Sequence, residues 1–512
     1  MMKLKKEKFY ILCCILTGLS AAFAFPKINL VFLMWFAFIP LIHVVYKSST
    51  LLSFIYAFFA GFVFNAQADF WLIDTVDLFA DDYVVAVIFY TMFCSYFALY
   101  WALWGAVSSA LKKYCSKTWL FVVLSACLWI VIEYIRTYIL GEWPWLIVGY
   151  SQYLFVYLIQ IAEFTGIYGI SFLIMLINGL LYFAIADKKK SYAIAALVLL
   201  SAVTAFGVSR YYSFQNFGDK KEYTAAVVQS NIEQYKKLDN SHKAETAAVL
   251  ESFASELSEI GADINVWSES EIINFIPADI ESYVFADRIA KTAGAFNILG
   301  APYLDGNGRL FNAIFHFDGN GGYVAMHTKN HLVPFGEYLP VPKWLAKFLE
   351  VTDKDDDLLE GNDTNIFTSG ELVAAPLICS ENFFPDIVRR FVLSGAKVLT
   401  NHTNDAWFLD SSAPYKHFAA NIFRAVESRK AVIVAANTGV SAIIDASGKI
   451  AVSTRVYERT LITGTFRQND YKTFYILYGD VFMKICIIFI VVFAAVIFYK
   501  RYKAKNGAKT NL

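Results

Sequence analysis

The sequence predicts a multispan α-helical membrane bundle of about eight helices joined to an α/β domain. Three observations predict it. Of the 512 residues, 57% are hydrophobic and 17% charged, whereas soluble globular chains run at about 45–50% and about 25%. Uncharged apolar runs long enough to cross a bilayer, which takes about 20 helical residues, recur before residue 210 and return once near the C-terminus. Between them, residues 222–470 carry most of the charge and alternate short β-type runs with amphipathic helical ones. This composition excludes disorder, a disulfide scaffold and an ordinary soluble enzyme. Lys+Arg and Asp+Glu balance at 44 each, so no nucleic-acid partner is expected and the placement of charge carries the information.

Spans are expected near 9–25, 28–46, 50–66, 84–110, 118–140, 164–186, 191–209 and 475–499. They divide the chain into a membrane domain with seven helices at 1–221, a folded domain at 222–470, and a last helix with its tail at 471–512. Basic residues in short loops stay on the cytoplasmic side. Lys3, Lys5, Lys6 and Lys8 precede the first span, Lys47 follows the second, and Lys112, Lys113 and Lys117 follow the fourth. Lys188, Lys189 and Lys190 follow the sixth, and Lys500, Arg501, Lys503 and Lys505 close the chain. The intervening loops are poor in basic residues, and the one after the third span carries Asp69, Asp74, Asp77, Asp81 and Asp82. Both termini are therefore expected inside and the folded domain outside.

A ninth apolar stretch at 145–162 would invert that orientation if it spanned. Gly149, Ser151, Gln152 and Gln160 interrupt it, which places it at the outer interface or re-entering the bundle. The opening residues imitate a signal peptide, with Ala21, Ala22 and Ala24 after an apolar core, but the multispan chain that follows favours an uncleaved first helix. Glu133 and Arg136 sit one turn apart within the fifth span, as a packing ion pair or a contact to a polar headgroup.

Five cysteines, Cys13, Cys14, Cys94, Cys127 and Cys486, fall within spans, Cys115 lies in a cytoplasmic loop, and Cys379 alone belongs to the outer domain. An unpaired thiol in an oxidising compartment is a liability unless it is buried or used. In that domain, strands are expected at 223–229, 263–267, 295–302, 310–317, 372–378, 397–401, 431–436 and 440–445, and helices at 243–259, 281–293 and 415–429. Three segments at or between strand ends carry reactive groups: Glu269 after Trp267-Ser268, Cys379 before Ser380-Glu381, and Lys329 in a turn-rich stretch that reaches Glu337. A thiol, a carboxylate to take its proton and an ammonium to face an oxyanion are the parts of covalent acyl transfer. The spacing of His327 and His331 suits a metal only on a helix, and Pro334 with the β-type flank argues against one, so no metal is expected, and covalent acyl transfer through a thiol needs no organic cofactor.

Glu269, Lys329 and Cys379 stand in the order and context of the Glu-Lys-Cys triad of the nitrilase, or carbon-nitrogen hydrolase, superfamily. Together with the span pattern, the chain resembles the membrane branch of that superfamily, the apolipoprotein N-acyltransferases, along nearly its whole length. The pieces that carry the resemblance are residues 329–340 (KNHLVPFGEYLP), 404–408 (NDAWF), 424–427 (RAVE) and 437–441 (NTGVS), with Trp143-Pro144-Trp145 and 149–152 (GYSQ) in the membrane part. The resemblance implies an α-β-β-α layered sandwich for the outer domain. It implies that Cys379 is the nucleophile acylated by a phospholipid, Glu269 the general base and acid, and Lys329 the group that stabilises the oxyanion. Glu337, Glu381 and Ser380 would support them. The acceptor would be the α-amine of a diacylglyceryl-modified N-terminal cysteine on an apolipoprotein. The enzyme would be a monomer in a bacterial inner membrane, with its catalytic domain periplasmic. Ser268 stands where the family usually has Pro, Ser380 where it has Tyr, and Leu238 where a Trp is common.

Two other functions use some of the same parts. A membrane-tethered amidase would hydrolyse its thioester with water through the same triad, and a transporter or sensor would use the outer domain only to bind ligand. Eight spans and matches outside the catalytic domain favour the transferase over the amidase, and the complete triad counts against the sensor.

Overall fold

The computed structural model describes residues 2–139, 142–215, 217–338 and 358–509. Its chain divides into two compact units, one gathering Met1–Val208 with Tyr478–Leu512 and the other formed by Ser209–Leu477.

In the first unit and at its borders, six helices among the described residues are long and apolar enough to cross a membrane. They are Thr50–Ala68, Tyr83–Tyr114, Thr118–Tyr138, Ile167–Ala186, Lys190–Phe214 and Val481–Lys503. Residue 140, the expected end of the fifth span, lies outside the described residues. Helix Met2–Phe23 corresponds to the first expected span, with Lys5, Lys6, Glu7 and Lys8 in its opening turns. The span expected at 28–46 is not one helix. It is broken into Val31–Leu33, Met34–Ala37 and Ile39–Lys47.

The break has a local cause. Pro40 opens the last of these pieces and cannot donate to the turn before it. Asn178, from helix Ile167–Ala186, repairs the gap: its Oδ1 accepts from the Phe38 amide at 2.9 Å and its Nδ2 donates to the Met34 carbonyl at 3.0 Å. Within a membrane a freed backbone group needs such a partner.

The stretch at 145–162 does not span. It forms tight turns at Val148–Gln152, all buried, and at Ile159–Ile161. Their irregular main chain is satisfied from neighbouring helices. The Val148 amide donates to Glu133 Oε1 at 2.8 Å and the Gly149 amide to Ser171 Oγ at 2.9 Å. Gln152 donates to the Val31 carbonyl at 3.1 Å and accepts from Trp35 Nε1 at 3.0 Å. Glu133 is thus an acceptor for main chain, a use that neither expectation for the Glu133 and Arg136 pair contained.

The second unit holds two six-stranded sheets. The first is built from β1 (Tyr223–Gln229), β2 (Ile264–Val266), β3 (Phe296–Leu304), β4 (Leu310–Phe317), β5 (Tyr323–Thr328) and, at its edge, a strand from the C-terminal end of the unit. The second is built from β6 (Phe367–Ser369), β7 (Leu372–Ile378), β8 (Val398–Thr403), β9 (Ala431–Ala436), β10 (Ala442–Ile444) and β11 (Ile450–Ser453). The edge strand of the first sheet is β12 (Thr460–Phe466), antiparallel to β1. Strands β1 to β3 run parallel, as do β7 to β9.

Successive side chains of a strand point to opposite faces, and here both faces are covered. Ala225 and Val227 of β1 enter a core shared with Ile378, Val398 and Ile433 of the other sheet. Ala226 and Val228 enter a second core with Leu250, Phe253 and Leu257 of helix Lys243–Ile260 and Ala286, Ile289 and Ala290 of helix Ile280–Ala293. Helices Pro385–Leu393 and Ala413–Ser428 pack against the second sheet, at β7 and β9. The order of layers is helix, sheet, sheet, helix, the nitrilase-like α/β arrangement that the resemblance implies. The sequence patterns missed β5, β6, β11, β12 and helix Pro385–Leu393.

Candidate active site

The loops after β2, β5, β7 and β8 converge. Strand β2 runs on into Trp267, whose amide donates to the Ile298 carbonyl at 2.9 Å while its own carbonyl accepts from His402 Nδ1, on β8 of the other sheet, at 2.6 Å. Burial lowers the His402 imidazole to about 4, against the Trp267 carbonyl that favours its charge, so the ring stays neutral. Its Nε2 takes the Thr400 hydroxyl at 2.8 Å. This neutral histidine fastens the start of the Glu269 loop to the second sheet.

Glu269 is buried, and each of its oxygens has a partner. Oε1 accepts from Asn312 Nδ2, on β4, at 2.6 Å and Oε2 from the Asn404 amide, after β8, at 2.8 Å. Lys329 is buried with it. Its Nζ donates to both oxygens of Glu337, at 2.8 and 2.7 Å, and lies 3.9 Å from Glu269 Oε1. The Lys329 amide donates to the Asn312 carbonyl at 2.9 Å, so one asparagine indexes both chains.

Burial is the largest influence on both groups. It raises the Glu269 carboxyl, an effect that Lys329 opposes, that Glu337 strengthens and that the bonds from Asn312 and Asn404 offset. Burial works to lower the Lys329 ammonium, but Glu337, Cys379 and Glu269 outweigh it and hold the lysine above its ordinary value as a fixed cation.

Cys379 follows β7 in the left-handed region, at φ 50. An L-residue is strained there, and such strain persists where surrounding structure enforces it. Burial pushes the thiol well above its ordinary range, with Glu269, Asp405 and Glu337 adding to the rise and Lys329 alone opposing it. These influences favour the thiol over the thiolate. Glu381 binds the two neighbouring loops together: Oε1 accepts from the Asn330 amide at 2.6 Å and Oε2 from the Ile378 amide at 2.8 Å. The Ser380 hydroxyl is buried and has no hydrogen-bond partner among the described residues.

Residues 17–180 match the family described as the apolipoprotein N-acyltransferase N-terminal domain, and residues 224–475 match carbon-nitrogen hydrolase. The chain is 32% identical over 504 residues to an apolipoprotein N-acyltransferase of Geobacter metallireducens, covering 96% of this chain and 95% of that one. The chain belongs to the apolipoprotein N-acyltransferase family. A second member, from Rickettsia prowazekii, is 28% identical and is covered to 96% by 93% of this chain. Among solved structures, an amidase from Nesterenkonia sp. is 17% identical, with 51% of this chain matching 95% of that one at a TM-score of 0.39. Membership makes the protein an acyltransferase of the carbon-nitrogen hydrolase superfamily, and with its apolar helices places it in a bacterial inner membrane.

Of the residues expected from the sequence, the structure brings Glu269, Lys329, Cys379, Glu337 and Glu381 into one cluster. Several motifs of this acyltransferase prove to be framework. In 437–441, the Asn437 amide donates to the Thr403 carbonyl at 3.0 Å, and Asn437 Oδ1 accepts from Ser230 Oγ at 3.0 Å. In 424–427, Arg424 Nη2 and Glu427 Oε2 form a buried ion pair at 2.8 Å. His327 is held by Asp363, Nδ1 to Oδ1 at 2.5 Å, with its Nε2 3.7 Å from Glu381 Oε2. The His331 ring packs on Phe384 with ring centroids 3.7 Å apart. Ser268 donates to the Glu271 carboxylate. The Leu238 side chain, with Leu339 and Pro340 of the 329–340 motif, lies outside the described residues.

Sequence reasoning missed four groups around the site. Lys237 is buried and donates to the Ser270 carbonyl at 3.1 Å. Thr403, Asp405 and His417 form a buried cluster beside the sulfur. Asp405 was available only as a letter in a motif, and nothing in the spacing of Thr403 or His417 marks them, since the contact depends on how β7 and β8 pair.

Proposed function

We propose that this acyltransferase moves a fatty acyl chain from a membrane phospholipid to the α-amino group of the diacylglyceryl-modified N-terminal cysteine of an apolipoprotein, through a thioester on Cys379. The observation that carries the proposal is the buried Lys329 ammonium, gripped by both oxygens of Glu337 and 3.9 Å from Glu269, in the same cluster as the thiol. In the first half, sulfur attacks the ester carbonyl and Glu269 takes the thiol proton. Lys329 faces the oxygen on which negative charge develops. The tetrahedral intermediate collapses, the lysophospholipid leaves with the proton from Glu269, and an acyl-sulfur bond remains. In the second half the amine attacks the thioester and loses a proton to Glu269, the amide forms, and Cys379 is reprotonated as it leaves.

The electrostatics support this order of events. A thiol held protonated by burial and by three carboxylates is a poor target for soluble electrophiles. Its nucleophilicity rises when an ester sits against it and Glu269 receives its proton. The distribution of lysines between the spans supports a periplasmic catalytic unit with both termini cytoplasmic.

Intact-mass spectrometry of protein purified from membranes tests the proposal. A fatty-acyl adduct on Cys379 is expected, removed by hydroxylamine and discharged by a diacylated lipopeptide. Discharge by water at the same rate without lipopeptide would mark a hydrolase, and no adduct in the presence of phospholipid would overturn the nucleophile.

A further inference from the structure

The parallel pairing of the second sheet sets Ile378 opposite His402, so the residues that follow them, Cys379 and Thr403, come side by side at the end of the sheet. The Thr403 Oγ1 lies 3.6 Å from the Cys379 sulfur and 2.9 Å from Asp405 Oδ1. The same Asp405 oxygen is 2.8 Å from His417 Nδ1, which is itself 3.3 Å from the Thr403 hydroxyl. Thr403, Asp405 and His417 are each at most 2% exposed. Glu269, Asp405 and Glu337 disfavour negative charge on the sulfur, and Lys329 favours it.

We propose that the Thr403 hydroxyl is a catalytic hydrogen-bond donor to the Cys379 sulfur, and that Asp405 and His417 are positioning residues that hold it in reach. The inference rests on Cys379 being the nucleophile. A hydroxyl has one proton to give and two lone pairs. While Cys379 is a thiol, that proton rests on Asp405. As charge grows on sulfur, the hydroxyl turns and donates to it instead. Asp405 is not left bare when this happens, because His417 continues to donate to the same oxygen. Burial works to lower the His417 imidazole, while Asp405 and the Cys379 backbone raise it, with a net rise that keeps this donor in place. No proton changes owner in the rotation, and the thiol proton goes to Glu269 as before.

The test uses the full-length protein in detergent with phospholipid. Alkylation of Cys379 by iodoacetamide, read as the mass of its peptide from about pH 6 to about pH 11, follows the thiolate population. Thr403→Val keeps the shape and removes the O–H. It is expected to move the profile upward by about one pH unit and to slow fatty-acyl adduct formation about tenfold, at an unchanged lipid requirement. Thr403→Ser is expected to restore both. Gly439→Ala supplies an independent route, since its added Cβ would fall 2.0 Å from Asp405 Oδ2 and displace the carboxylate that holds the Thr403 hydroxyl. It too is expected to shift the profile. A Thr403→Val profile that superimposes on the parent's, or serine and valine slowing acylation equally, overturns the assignment. A parent protein that never acylates fails the proposed function itself, whereas a parent that acylates normally beside an unmoved valine profile fails only the role of Thr403.

Discussion

The first sheet delivers its candidate catalytic groups on long charged side chains, Glu269 after β2 and Lys329 after β5, whereas the second delivers Cys379 and Thr403 on short ones fixed by backbone register. A long side chain needs partners along its length, and Glu269 and Lys329 have them in Asn312, Asn404 and Glu337. A short one needs its main chain placed, and Cys379 obtains this from a left-handed conformation and parallel pairing. The first half of the site should therefore fail by loss of charge partners, and the second by loss of one atom.

Cys379→Ala should abolish both acyl adduct and transfer, the largest effect of all, and Cys379→Ser should leave little, because an alcohol is a far weaker nucleophile near neutral pH. Amide formation at the parent rate by either variant would break the comparison at its second half. On the first half, Glu337→Gln leaves a buried ammonium short of its principal counter-charge. Removing one member of a buried pair costs about 3–5 kcal/mol, so a lowered unfolding midpoint should accompany the loss of activity. Lys329→Arg should also lose transfer, since a planar fork does not replace a point charge in a tight site. An arginine variant as active as the parent would make Lys329 dispensable.

A smaller effect belongs to the pair beneath the lysine loop. Burial works to lower the His327 imidazole, but Asp363 and Glu381 raise it to about 9. A group raised in the folded state contributes stability that is complete below its unfolded value, about 6.5, and is lost as pH rises through the folded one. Stability should fall between those values by at most about 1.4 kcal/mol per pH unit. Denaturation midpoints across that range would check the slope, and His327→Asn should flatten it. The smallest effect expected is at Ser380. Its buried hydroxyl lacks a partner among the described residues, so Ser380→Ala should retain transfer and change stability by no more than about 1 kcal/mol, in the favourable direction. A marked loss of transfer would restore the supporting role that the resemblance implies for it.

The same contrast governs what could be read from the sequence. Glu269, Lys329 and Cys379 are each weak signals near the ends of β-type runs, and it is the resemblance that joins them into a triad. Thr403 and His417 give no signal, because their function depends on which strands pair. Strand β5 was missed because its burial grades from exposed at Tyr323 to buried at Thr328, leaving no alternation to read. Strand β12 was missed because Gly464 interrupts it, where a Cβ would press on Ile443 and Val452 at 3.0 and 3.3 Å. In the membrane unit, composition marks apolar runs but not breaks. Pro40 was visible, whereas Asn178, which makes the break tolerable, comes from a helix far along the chain.

Glu381 has a mechanical consequence. A carboxylate is planar, with its two oxygens at a fixed separation, and here one oxygen holds the residue after Lys329 and the other the residue before Cys379. Through these two bonds the backbone beside the cation and the backbone beside the sulfur share one carboxylate. Under the proposed two-step transfer, the same jig would meet first an oxygen ester and then a thioester.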